Sequence, residues 1–155
     1  MSPVVIGLDL SLTSTGIAII DGGSVTLHRV KSKGAKGDTL AARHVRLLRI
    51  TDETYSLGIY NSTDRCSLVV IESPAFSRTT GHMHDRSGLW WLTVDIFRMH
   101  GYPVAEVTPT ARAKYATGKG NAGKDAVLAA VVRRYPDVEV SGNDEADALV
   151  LAAMG

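Results

Sequence analysis

Four carboxylates, Asp9, Glu72, Asp144 and Asp147, have the residue type and the setting to do chemistry. Asp9 lies in Val4-Val5-Ile6-Gly7-Leu8-Asp9-Leu10, where the even positions are all large and apolar while the odd positions run Val5, Gly7, Asp9, Ser11. Strand side chains alternate between faces, so one face of this segment shrinks and ends in a carboxylate. A charge buried without a partner is costly, and Asp9 therefore calls for compensation. Glu72 directly follows the apolar run Leu68 to Ile71, and Asp144 and Asp147 open the last helical segment on one face of it. Each acid also has a plain structural reading. Asp144, Glu145 and Asp147 suit a first helical turn, where acids favour the helix dipole and Asn143 is a good cap, and Glu72 suits a strand end facing water. Taken together the acids say more. The last helix carries Ala146, Ala148, Ala152 and Ala153, small enough for close approach to a sheet; packed over the first and fourth strands it would make all four carboxylates converge. An oxygen-only cluster suits a hard divalent cation, Mg²⁺ or Mn²⁺, rather than zinc. Two such ions roughly 3.5–4 Å apart serve in-line displacement at phosphorus, so the chemistry expected is phosphodiester hydrolysis.

The elements that must position these acids can be read from hydrophobic pattern. Val4 to Leu10, Gly16 to Asp21 and Val25 to Val30 read as strands, the last two joined by Asp21-Gly22-Gly23-Ser24, which makes an antiparallel meander. A helix is expected from about Asp38, with Leu40, Val45, Leu47, Leu48 and Ile50 as its apolar side. Leu68 to Ile71 reads as a strand covered on both faces, followed by a helix from Asp85 to His100 and a strand from Val104 to Val107. Helices at Ala122 to Tyr135, stopped by Pro136, and at Asp144 to Met154 close the chain. The fold class expected is α/β: a mixed five-stranded sheet, three antiparallel strands and then parallel ones, with helices on both faces, in a single domain over residues 1–155.

Composition narrows the setting. The N-terminus has no basic region ahead of an apolar segment, and no apolar run reaches the roughly 18 residues of a membrane span, so a cytoplasmic protein without membrane contact is expected. The single Cys66 excludes an intramolecular disulfide and fits a reducing compartment. The net charge of +1 excludes nothing, but from Pro109 to Lys124 there are four basic side chains, Arg112, Lys114, Lys119 and Lys124, and no acid. Such a stretch is either a solvated face or a contact for a phosphate backbone. Within it, Gly118 and Gly120 let backbone approach a phosphate, Asn121 can cap the following helix, and that helix's N-terminus favours an anion.

The motifs G-L-D-L-S-L-T-S-T-G (Gly7 to Gly16), V-V-I-E-S-P (Val69 to Pro74) and D-E-A-D-A-L (Asp144 to Leu149), in this order and at this spacing, resemble the RuvC family of Holliday-junction resolvases in the RNase H-like superfamily. The resemblance covers nearly the whole chain, and the ending at Gly155 is what a small phage or bacterial version would have. It implies that Asp9, Glu72, Asp144 and Asp147 are metal-binding catalytic acids for two Mg²⁺ or Mn²⁺ ions. It further implies a homodimer that cuts two symmetry-related strands of a four-way DNA junction, leaving 5′-phosphate and 3′-hydroxyl ends. T-G-K-G-N-A-G-K, Thr117 to Lys124, is similar to the family's glycine-containing turn, which makes Lys124 a catalytic lysine. Lys114 falls one residue short of the family's other functional lysine; Arg112, Lys114 and Lys119 are expected on flanking DNA backbone. Phe76, one position further from the glutamate than the family's stacking aromatic, and Arg78 are expected to touch the junction, and His82 and His84 to be surface residues. Trp90 and Trp91 point about 100° apart on a helix, so one is expected in the core and the other at a dimer interface. The resemblance leaves a branch-migration partner unspecified.

Other classes of function compete with this reading. D-L-S-L-T-S-T-G also resembles the first phosphate loop of actin-like and sugar-kinase ATPases, but those proteins hold nucleotide between two such domains and this chain has room for one. A junction-binding module without catalysis would dispense with the acids. A broader branched-DNA or RNA-processing nuclease of the same fold remains a distinct alternative, because two-metal chemistry does not choose its nucleic acid.

Overall fold

The computed structural model describes residues 2–62, 66–74 and 82–155, and among them five strands and five helices form. The strands are β1 (Val4–Asp9), β2 (Ser14–Asp21), β3 (Ser24–Lys31), β4 (Leu68–Glu72) and β5 (Val104–Val107). The helices are α1 (Leu40–Tyr60), α2 (Met83–Met99), α3 (Pro109–Thr117), α4 (Lys124–Arg134) and α5 (Asn143–Met154). The sheet order is β3-β2-β1-β4-β5, with β1–β2 and β2–β3 antiparallel and β1–β4 and β4–β5 parallel, which is the mixed sheet expected.

Alternation along the central strands divides the interior in two. Val4, Ile6 and Leu8 of β1 enter one core with Ile17, Ile19, Val69, Ile71, Ile50, Leu89 and Phe97, on the side of α1 and α2. Val5, Ala18 and Val70 enter the other with Ala146, Ala148, Leu149, Ala152, Val127 and Val131, on the side of α5 and α4. Fully burying one such aliphatic side chain contributes roughly 1.5–3 kcal/mol, so the two layers together fix the sheet between helices. No helix among the described residues is long and apolar enough to cross a membrane.

Three expectations need correction. The stretch from Pro109 to Thr117, to which the sequence pattern assigns no helix, is helical: Thr108 caps it by accepting a hydrogen bond from the Ala111 amide at 3.1 Å, and Pro109 occupies the first turn, where its missing N–H is harmless. The inward face of α1 is not the expected apolar set, because Leu40 and Val45 are 78% and 65% exposed and Leu48 is exposed as well. Leu47 packs against the core, and Ile50, Thr51, Thr54 and Gly58 are buried, a stripe that includes two threonines and a glycine. Helix capping also differs: Gly123 and Gly142 are the N-cap residues of α4 and α5, without side-chain cap bonds, in place of Asn121 and Asn143.

Candidate active site

The acids are brought together by register and by an unusually close helix. Asp9 ends β1, and Glu72 ends β4, one step past the Leu8–Ile71 pair of the parallel ladder. Alternation puts Asp9 on the face of Val5 and Gly7, and Glu72 on the face of Val70, so both face the layer of α5. There α5 lies directly on the sheet backbone. A Cβ on Gly7 would stand 2.1 Å from the Ala148 carbonyl oxygen, and one on Gly16, the partner of Asp9 across the β1–β2 ladder, 2.1 Å from the Asp144 carbonyl oxygen. Only hydrogen at these two positions lets the helix approach, and that approach carries Asp144 and Asp147 over Asp9. The sequence anticipated the small alanines on the helix; the matching absence of side chain on the sheet completes the fit.

The strand ends are held by polar contacts. The Trp90 indole N–H donates to the Glu72 carbonyl at 3.0 Å, and the Ser73 amide donates to the Val107 carbonyl at 2.8 Å, so the backbone around Glu72 is tied to α2 and β5. After Asp9 the chain turns on its own hydroxyls: Thr15 Oγ1 donates to the Ser11 carbonyl at 3.0 Å and accepts from the Ser11 amide at 3.1 Å. Glu145 takes a structural place. Its carboxylate is buried, accepts from the Ser141 amide at 2.8 Å and pairs with Arg29 at 3.4 Å.

Electrostatics shows the cluster to be short of positive charge. Burial, followed by the Asp147 and Glu72 carboxylates, pushes the Asp9 carboxyl up to about 8, with Arg112 opposing and Asp144 adding to the rise. Burial also pushes Asp147 up to about 6, where Arg112 and Lys124 pull it down and Glu72 and Asp144 push it up. Arg112 was expected on flanking DNA but is turned into the acids. Its side chain is 11% exposed, Nε donates to Glu72 Oε2, and Nη1 donates to Asp147 Oδ1 at 2.5 Å. Burial opposes its charge, yet the Glu72 hydrogen bond and the surrounding Asp147, Glu72 and Asp9 carboxylates together hold the guanidinium above its ordinary value. A single residue, Thr108, separates α3 from β5 and so brings Arg112 over the sheet end. The Thr108-Pro109 helix start was the sequence signal that could have placed Arg112 on a helix rather than a basic loop.

The remaining expected residues divide plainly. Lys124 opens α4, exposed and near enough to act on Asp147. Lys114 and Lys119 are exposed, on the last turn of α3 and in the turn after it. Gly118 takes the left-handed conformation (φ 81°) and donates its amide to the Lys114 carbonyl at 2.8 Å, closing α3. His82 and His84 are exposed, as expected. Phe76 and Arg78 lie outside the described residues. The tryptophans split as the helical spacing required: Trp90 packs against the core, and Trp91 is 64% exposed with its ring edge-on to Trp90 at 4.8 Å.

The donor set fits a hard divalent cation. It is made of carboxylate oxygens alone, it carries more negative charge than Arg112 and Lys124 offset, and it already draws one cation into its midst. Among the described residues no three His, Cys, Asp or Glu side chains are grouped closely enough to enclose an ion.

Solved structures share this arrangement of elements. Thermus thermophilus RuvC superposes with a TM-score of 0.73 at 20% identity, covering 96% of this chain and 90% of that one. T. thermophilus RuvC in complex with a Holliday junction substrate gives a TM-score of 0.76 at 22% identity, covering 97% and 91%. The yeast mitochondrial Holliday junction resolvase gives 0.60 at 8% identity, covering 96% and 75%. No protein-family model matches the sequence, and no curated protein matches it. The chain has the RNase H-like fold of RuvC.

Proposed function

We propose that this chain, folded as RuvC is, is a metal-dependent, structure-selective endonuclease that resolves four-way DNA junctions by paired symmetric nicks. The observation that carries the reading is that Asp9 and Glu72 end neighbouring strands on the face covered by α5, whose seat on Gly7 and Gly16 brings Asp144 and Asp147 to the same end, with burial and neighbouring carboxylates opposing the charge of Asp9. Support for DNA as the substrate comes from the T. thermophilus relative, solved with a Holliday junction. Lys124, near Asp147, and the exposed Lys114 and Lys119 add to it.

Asp9, Glu72, Asp144 and Asp147 would hold Mg²⁺ or Mn²⁺. Two such ions supply an activated water and neutralise charge at the leaving oxygen. The protein's own contributions follow from its geometry. The seat of α5 on Gly7 and Gly16 fixes the two helical acids against Asp9, and Trp90 and Val107 fix the backbone of Glu72 and Ser73. Lys124, at a helix N-terminus facing Asp147, offsets charge growing on the scissile phosphate. Lys114 and Lys119 hold the flanking strand. Two nicks need two sites, and the exposed Trp91 on α2 is the anchor for a second copy of the chain; Trp91→Glu should move the protein from dimer to monomer in sedimentation equilibrium.

The deciding experiment is cleavage of a labelled immobile four-way junction against a matched linear duplex with Mg²⁺ or Mn²⁺, for the wild type and Asp147→Asn. Paired symmetric cuts in the junction, absent from the duplex and lost in the variant, are expected. Cutting of both substrates would leave a broader nuclease, and full activity in the variant would remove the acids from the mechanism.

A further inference from the structure

We propose that Arg112 is a built-in counter-cation of the acid cluster: it bridges Glu72 and Asp147 in the metal-free protein and must release them for a divalent ion to bind, so it sets the metal concentration at which the site loads. This rests on the reading of the acids as a metal site. Arg112 Nε meets Glu72 Oε2 while Nη1 meets Asp147 Oδ1 at 2.5 Å, so one planar fork spans carboxylates from β4 and α5. Those oxygens are the ones a hard cation would take, and a guanidinium and a metal ion repel each other across them. The two are therefore alternatives for the same atoms.

The scaffold permits the exchange. The acids belong to β1, β4 and α5, elements seated in the two cores, whereas Arg112 hangs from the nine-residue α3, whose buried residue is Ala113 and which ends in the left-handed Gly118. Releasing the fork needs rotation of one long side chain and leaves the acids where they are. The other basic side chains of this stretch, Lys114, Lys119 and Lys124, are exposed. Arg112 alone among the four is drawn inward, and only a guanidinium can satisfy two carboxylates at once with a fixed fork.

If the bridged form outweighs the open one by roughly ten to one, apparent metal affinity falls by about tenfold, since only the open form binds. Manganese binding, followed by the loss of the free Mn²⁺ electron paramagnetic resonance signal, should therefore be about tenfold tighter in Arg112→Gln than in the wild type. Arg112→Lys should fall between them, because an ammonium keeps the charge but cannot span both acids. In the wild type, the Arg112 Nε–H resonance should move away from its hydrogen-bonded position as Mg²⁺ is added; this second measurement stands even if a variant fails to fold. Wild-type binding of Mn²⁺ with no tightening in Arg112→Gln, with Arg112→Lys equal to the wild type, or with an unmoved Nε–H signal, would overturn the counter-cation role and leave the metal site intact. No Mn²⁺ binding by any of the three proteins would overturn the metal reading and this inference with it.

Discussion

Asp9 sits where burial and three neighbouring carboxylates oppose its charge, and Arg112 relieves only part of that opposition. A carboxylate so placed costs the metal-free protein stability. Asp9→Asn should accordingly raise the melting temperature of the metal-free protein while lowering junction cleavage by at least about a hundredfold, the loss of several kcal/mol of transition-state stabilisation. Thermal denaturation and a nicking assay on the same preparation test both halves. Asp85 is the opposite case. Two Arg43 nitrogens reach it from α1, Nε at 3.0 Å and Nη2 at 2.5 Å, and this hydrogen bonding holds its carboxyl below the usual carboxylate range. Because the folded value is the lower one, the pair's contribution is present above the unfolded value and is lost as pH falls through the folded one. In urea denaturation Asp85→Asn should be less stable than wild type at neutral pH, and the two proteins should converge in strong acid.

At the scale of elements, the site depends on how closely one helix lies against two strands. Gly16→Ala would place a methyl group 2.1 Å from the Asp144 carbonyl, so α5 must lift or tilt. Overpacking of this kind costs about 1–3 kcal/mol. Chemical denaturation should show that loss, and cleavage should fall further than stability does, because the displaced turn carries Asp144. The acids and their strands were legible in the sequence because Asp9 and Glu72 interrupt or end apolar runs whose alternation is unambiguous, and the Asp144–Asp147 spacing fixes a helical face. The inward stripe of α1 was not legible, since Thr51 and Thr54 are buried there while Leu40 and Val45 stay outside, and an apolar count ranks them in reverse. Arg112 was misplaced for a different reason. Its charge suits solvent as well as it suits a buried fork, and only the three-dimensional meeting of β4, α3 and α5 distinguishes the two.

For the whole molecule, a net charge of +1 conceals a division: carboxylates inside the sheet end, and exposed lysines on the turn and helices around it. Lys114→Ala and Lys119→Ala should each reduce the slope of log affinity against log salt by about 1 for a four-way junction, measured by fluorescence anisotropy. An unchanged slope in both would remove these side chains from the DNA contact. The seat of α5 on Gly7 and Gly16 also divides the molecule in time. Amide protons of β1 and α5, locked backbone against backbone, should exchange with deuterated solvent only through global unfolding, whereas those of α3 should exchange through brief local openings. One wall of the acid cluster then shares the lifetime of the fold, while the wall bearing Arg112 yields on its own much faster clock.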